Sequence, residues 1–370
     1  MLFFRSEFIK LIRKSFQRKM NKNFLIYGAT GFVGEAMARY SVQQGLKPIL
    51  AARNKEKLEI LAGELNLEFK AFTLEELQIN NSLIKGAVAV LNCAGPFVHT
   101  FKPLIESCIK NKIHYLDISG EIPVFESIVK YDKLAIENNI MLLPGAGFDV
   151  TPTDCLSLYL KEKLPTGNRL TLGFCTNGPA GLPPGTAKTG IELIPYGNRI
   201  RENGKLVKPP KGLRTKMIDF GNGLQKSTLL LWGDVFTAYY STGIPNIEVY
   251  AAFSDDVNKQ MSFAERYRSI LSIPFILKIL KKNIKGGSTE EERNKTSMSV
   301  WGELKDKDGN VVQARLHGPE GGVIWTSQCA LAIVKRILSG DIKPGYQTPA
   351  KAYGSELVME CEGVERIDIN

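Results

Sequence analysis

Hydrophobic and polar positions change their period along this chain, and the changes mark its organisation. The apolar run Phe24-Leu25-Ile26-Tyr27 precedes a glycine-rich turn and an amphipathic stretch ending near Gln44. A second strand follows at Pro48 to Ala52, then a helical pattern at Lys55 to Leu65 and a short strand at Glu68 to Ala71. Ala87 to Leu91, Ile113 to Ile118 and Ile140 to Leu143 read as further strands, with helical segments around 101–111 and 123–138. This alternation predicts a parallel sheet with helices on both faces. After Pro144-Gly145-Ala146-Gly147 the strands lengthen and alternate: Leu170 to Cys175, Ser227 to Leu231, Ile247 to Phe253 and Ser297 to Leu304. Lys305 to Asn310 reads as a hairpin turn before Val311. Helical patterns return at Ile324 to Leu338 and Pro349 to Glu360.

The turn itself is Gly28-Ala29-Thr30-Gly31-Phe32-Val33-Gly34. Strand, glycine turn and helix in that order make a phosphate grip, because the glycines let a pyrophosphate approach the free N–H groups of the helix. The second strand ends in Ala52-Arg53 rather than in an acid, which suits a 2′-phosphate and predicts NADP(H). Asn54 reads as a helix cap and a second phosphate contact. Ligands in such sheets sit beyond the C-terminal strand ends, so Ala94, Gly95, Pro96 and Gly120 join Gly28, Thr30, Gly31, Phe32, Val33, Gly34, Arg53 and Asn54 as expected cofactor contacts.

The fold class is therefore α/β: an N-terminal Rossmann-like doubly wound parallel sheet, then a second α+β domain built on a largely antiparallel sheet. The expected boundaries are 1–22 for a basic amphipathic extension and 23–150 for the NADP-binding domain. A substrate domain follows over 151–320, and C-terminal helices over 321–370 return to the first domain.

Net charge is +10, but residues 1–22 alone hold seven Lys/Arg against one Glu. The remainder is too weakly basic, with no base-stacking stretch, to predict nucleic-acid binding. Phe4, Phe8, Ile12 and Phe16 recur between those basic residues. Such a leader fits a surface membrane helix, a transit-like segment, or an extension ahead of a start at Met20; the last two are favoured. Six scattered cysteines without a C-x-x-C pair fit free thiols in the cytoplasm, and three histidines make a metal site unexpected. Ile270 to Leu280 is mostly apolar, contains Pro274 and runs into Lys281, Lys282 and Lys285. It is too short to span a bilayer. A core or interface helix is the default reading, and peripheral contact with lipid is the other.

Several stretches together resemble the saccharopine dehydrogenase-like oxidoreductases, in particular the branch of trans-acting enoyl reductases. They are Gly28 to Gly34, Asn92 to Phe97, His114 to Glu121, Pro144 to Asp149 with Pro152 and Asp154, Gly185 to Thr189, and Thr348 to Ala350 with Gly354. The resemblance implies an NADP-binding Rossmann domain, a mixed second domain, and reduction of a C=C or C=N bond. Members of the branch are associated with polyketide-derived lipids.

No motif fixes the proton source that hydride transfer requires. The candidates are His99 past a strand end, Asp149 and Asp154 at the domain junction, and Lys188 and Glu192, which share an expected helix face with Tyr196. His114 and Asp117 are expected to orient backbone. Tyr159-Leu160-Lys161-Glu162-Lys163 fits the Y-x-x-x-K of short-chain dehydrogenases and keeps a carbonyl-reductase reading open. A non-catalytic NADP(H) sensor or lipid-binding protein is the third reading. The expected partners are a small-molecule or acyl-lipid substrate and a second copy of the chain as a homodimer, with no nucleic acid and at most peripheral membrane contact.

Overall fold

The structure is a computed structural model and describes residues 23–210, 214–284 and 286–369. The expected extension 1–22 lies outside them. Strands are numbered in chain order. The first sheet holds β1 (Asn23–Tyr27), β2 (Ile49–Ala52), β3 (Phe69–Ala71), β4 (Ala87–Asn92), β5 (His114–Asp117), β6 (Met141–Leu143) and β15 (Gly345–Tyr346). All seven are parallel, in the order β15-β6-β5-β4-β1-β2-β3. The chain leaves β1 towards β3 and then crosses back to β4, so the strand order reverses between β1 and β4. That reversal opens a crevice at the strand ends where ligands bind. Leu25, Ile26, Leu50, Val90, Leu91, Leu116 and Leu142 are wholly buried. Burial on both sheet faces is why these strands read as continuous apolar runs.

The second sheet holds β7 (Arg169–Asn177), β8 (Ile200–Glu202), β9 (Lys205–Val207), β10 (Thr215–Asp219), β11 (Leu224–Leu229), β12 (Asn246–Ala252), β13 (Ser297–Lys305), β14 (Val311–Pro319) and β16 (Glu365–Ile369). Its path is β10-β11-β12-β7-β13-β14-β16, with β8 and β9 branching from β12. Only β12 and β7 run parallel among these neighbours. The expected hairpin turn is present: the Asp306 carboxylate accepts from the backbone N–H groups of Asp308 and Asn310, each at 2.9 Å. Helix Thr151–Lys163 covers one face closely enough that a Cβ on Gly302 of β13 would lie 2.7 Å from Leu160 Cδ1.

Two expectations need correction. The tail 321–370 was expected to return as helices to the first domain, and helix Thr326–Ser339 does pack on β1 and β4. Yet β15 is a strand beside β6, and β16 pairs with β14 in the second sheet, so the tail stitches both units together. One strand is two residues long and the other mostly charged, so neither leaves an apolar run to read. The second correction concerns 265–285, expected by default to be a core or interface helix, and it is the core part of that reading that fails. Helices Asp255–Arg266, Arg268–Leu271 and Pro274–Lys282 follow one another, with Pro274 opening the last, and in that last helix Leu277 alone is buried. Lys285 lies outside the described residues. No helix among those described is long and apolar enough to cross a membrane.

Candidate functional site

A cleft of about 430 Å³ opens over the C-terminal ends of β1, β2 and β4. Its floor is the loop Gly28–Gly31 and the start of helix Phe32–Gln43, with Thr30, Phe32 and Val33 in the lining. Gly28 sits at φ +86°, and a Cβ there would meet Ala94 N at 2.8 Å, so the loops after β1 and β4 touch where only glycine fits. Ala94, Gly95 and Gly120 continue the wall. Gly31 precedes the helix with no side-chain cap, leaving the first N–H groups free for a ligand.

Arg53 lines the far end of the cleft beside Asn54, which caps the next helix by accepting from Lys57 N at 2.9 Å. Lys188 lines the cleft from helix Pro184–Glu192. Among the described residues neither Arg53 nor Lys188 makes an ion pair. Two cations without an ion-pair partner among the described residues, a free helix N-terminus and a side-chain-free cradle together fit the phosphates of a dinucleotide. Tyr27 and Cys93, also in the lining, stay neutral: burial lifts the phenol to about 12 and pushes the thiol up.

Beyond this cleft lies a second, mostly apolar cavity of about 360 Å³, lined by Phe174, Leu193, Leu230, Trp232, Phe253 and Met261 among others. The Phe174 and Trp232 rings pack at 4.6 Å. Gly120, Asp149, Thr186 and Thr189 belong to both linings, so the two spaces adjoin. Asp149 is the titratable side chain on that shared wall. Loss of hydration raises its pKa to about 7, and the negative charge of Glu121 adds to the effect.

Glu121 was not among the sequence-derived site residues, yet it organises this region. Its carboxylate accepts from Phe97 N at 2.7 Å, Val98 N at 2.9 Å and Thr189 Oγ1 at 3.2 Å. It therefore clamps the loops after β4 and β5 to helix Pro184–Glu192. Gly322 and Thr326 also line the cofactor cleft from the start of the tail. Thr326 Oγ1 accepts from Phe148 N at 3.1 Å, next to Asp149. Nothing local in the sequence signals Thr326, whereas Glu121, Thr186 and Thr189 stand in stretches already singled out.

Other sequence candidates are placed elsewhere. His99 Nε2 lies 3.2 Å from Glu192 Oε1, and Lys281 pairs with the same carboxylate, so His99 and Glu192 form a polar rim outside the cleft lining. Tyr196 follows the end of helix Pro184–Glu192 and donates to Glu126 Oε2 at 2.9 Å, so it shares no helix face with Lys188. Asp154 is buried, paired with Ser241 and accepting from Ala350 N at 2.8 Å; it joins three helices rather than facing the cleft. Asp117 orients backbone as expected, accepting from Ser119 N and Gly145 N, each at 3.0 Å. His114 Nδ1 accepts from Met141 N at 3.1 Å. Gly34 and Pro96 do not line the cleft. Tyr159 Oη donates to Asp368 Oδ1 at 3.0 Å and Lys163 pairs with the same carboxylate, away from both cavities, which removes the short-chain-dehydrogenase arrangement.

A doubly wound parallel sheet with this glycine turn and cationic cleft defines a dinucleotide-binding protein. Residues 24–143 match the family described as the saccharopine dehydrogenase NADP binding domain, and the cofactor is a nicotinamide dinucleotide. The human saccharopine dehydrogenase-like oxidoreductase is 28% identical over 193 residues, 46% of this chain and 45% of that protein. A Mycobacterium tuberculosis protein named as a candidate trans-acting enoyl reductase is 32% identical over 214 residues, 53% of this chain and 51% of that protein. The chain thus spans about half the length of the curated relatives it matches. Apo saccharopine dehydrogenase (L-Glu forming) from Saccharomyces cerevisiae shares the fold, with a TM-score of 0.64 over 94% of this chain and 100% of that chain at 11% identity.

Proposed function

We propose that the chain is an NADP(H)-dependent oxidoreductase that reduces a C=C or C=N bond of an apolar, acyl-like substrate. The observation that carries this reading is the wall shared by the cationic cleft and the apolar cavity, with Asp149 on it. When bound, the nicotinamide supplies a hydride to an electrophilic carbon. The residues of the chain do the rest. Arg53 takes the 2′-phosphate, and the free N–H groups after Gly31 take the pyrophosphate. The apolar walls hold the substrate and exclude water. Asp149, half-protonated near pH 7, gives its proton to the atom adjoining the reduced carbon and recovers it from solvent.

The names of the relatives, an oxidoreductase and an enoyl reductase, agree with this reaction class. The test is NADPH oxidation followed by absorbance against enoyl-thioesters and imines of rising chain length. Turnover that improves with chain length supports the proposal. Tight NADPH binding with no turnover on any member would favour the sensor instead.

A further inference from the structure

We propose that the helical cap Asp255–Lys282 docks on an anionic lipid surface, setting the mouth of the apolar cavity against the bilayer. The docking stands on the cap alone; the placing of the mouth rests on the reading of the cavity as the substrate chamber.

The cap carries two sets of side chains. Val257, Met261, Ala264, Glu265 and Arg268 recur at helical spacing and line the apolar cavity. The cap also carries Phe263, Tyr267, Ile270, Ile273, Phe275 and Ile279, all exposed, with Phe275 reaching 70%. The Phe263 and Tyr267 rings pack against each other with centroids 4.6 Å apart. Six large apolar side chains exposed within 17 residues are an unusual surface for a protein facing only water.

Charge says what covers them. The whole cap Asp255–Lys282 holds six Lys/Arg against Asp255, Asp256 and Glu265; Lys259, Arg268 and Lys281 are ion-paired, which leaves Arg266, Lys278 and Lys282 as its cations without an ion-pair partner among the described residues. Basic residues interleaved with exposed aromatic and branched side chains match the boundary between anionic headgroups and acyl chains. A second copy of the cap would instead oppose like charges across the contact. Lysine at position 281 is already tied to Glu192, and Leu277 is buried, so the last helix is anchored to helix Pro184–Glu192 and cannot simply turn its apolar side inward.

The cavity opens at this same place. Leu182 and Val257 both line it and are both exposed, at 63% and 37%, which marks the mouth beside the cap. A molecule with an acyl tail would then pass from bilayer to cavity without exposing its methylenes to water.

The experiment is co-sedimentation of the full chain with phosphatidylcholine vesicles, with and without phosphatidylglycerol, at low and high salt. The expected result is pelleting that needs the anionic lipid and weakens with salt. Phe275→Glu with Ile279→Glu, and separately Lys278→Glu with Lys282→Glu, should each lower the partition coefficient about tenfold or more while NADPH still binds. No lipid-dependent pelleting at low salt overturns the proposal, as does undiminished pelleting of the Phe275/Ile279 variant. Concentration-dependent self-association without lipid that this variant abolishes assigns the face to a second copy and overturns it too. None of these readings needs turnover, so failure here is distinct from failure of the proposed reaction.

Discussion

Gly120 and Asp149 meet on the wall between the cofactor cleft and the apolar cavity: a Cβ on Gly120 would stand 3.0 Å from Asp149 Cβ and 3.2 Å from its Oδ2. The backbone after β5 thus lies against the carboxyl group and helps to keep water from it. A methyl at this point must displace the side chain that is offered as the acid. Gly120→Ala should therefore lower turnover more than it weakens NADPH. Steady-state kinetics beside a binding titration reads the two effects separately.

The raised pKa of Asp149 gives a pH dependence with a definite sign. As the acid, Asp149 works while protonated, so turnover should fall as pH rises through about 7. Asp149→Asn should cut turnover by about a hundredfold or more and flatten that limb. Stability should move the same way. The folded pKa lies above the ordinary value of 3.8, so the carboxyl favours folding in acid and that contribution is lost as pH rises through about 7. The Asn variant should be more stable than the parent at pH 8, by roughly 1–3 kcal/mol, with the gap closing towards pH 4. Denaturant melts at the two pH values would expose a wrong sign directly.

The two glycines after Gly28 should fail differently. A Cβ on Gly34 would sit 2.1 Å from Gly28 O, so Gly34→Ala forces the helix off the turn and should lower melting temperature and NADPH affinity together. On Gly31 the nearest contact is 3.2 Å, and the residue lines the cleft. Gly31→Ala should mainly weaken NADPH while the apo protein melts almost as before. Equal destabilisation by both would mean that Gly31 is a packing residue as well.

Strands β1, β2, β4, β5 and β6 of the first sheet were legible because they are buried and separated by helices, so apolar runs and turn glycines carry their signal. The cofactor cleft was legible for the same reason: Gly28, Gly31, Arg53, Asn54, Ala94 and Gly120 all follow strand ends that the runs had already marked. The apolar cavity was not. Phe174, Trp232, Phe253 and Met261 come from separate elements of the second unit, and an apolar residue facing a cavity leaves the same trace as one facing the core. His99, Glu192 and Asp154 illustrate the converse. Their positions in the sequence suited catalysis, but ion pairing and helix joining claim those side chains, and only three-dimensional distances separate these roles. For the exposed cap, core, interface and lipid contact all stayed open in the sequence because an amphipathic helix does not say which medium its apolar side meets.

Tyr159 tests how far a short motif can mislead. Its hydroxyl and Lys163 converge on Asp368 of β16, and Arg366 lies over its ring at 3.7 Å, which makes the trio a stitch for the C-terminal strand. Tyr159→Phe should leave NADPH affinity and turnover unchanged and cost at most about 1 kcal/mol of stability. Lost turnover with intact NADPH binding would restore the short-chain-dehydrogenase reading.

The proposed preference for NADP(H) turns on Arg53. It is exposed at the end of β2, lines the cleft and has no ion-pair partner among the described residues, so its guanidinium is free to receive a ligand phosphate. No acid follows β2 to hold a free ribose 2′-hydroxyl, because Arg53 is followed by Asn54 and Lys55. Removing the guanidinium takes a charge-assisted contact from NADPH and little from NADH, which lacks the 2′-phosphate. A hydrogen bond to a charged group is worth about 1.5–3 kcal/mol, so Arg53→Ala should weaken NADPH by roughly ten- to a hundredfold and NADH by much less. Lys55 stands nearby on the helix that Asn54 caps, but it is already 3.6 Å from Glu59 and is poorly placed to compensate. Fluorescence titration of both cofactors against both proteins is the measurement. Parallel losses for NADPH and NADH would show that Arg53 supports the loop and does not read the phosphate.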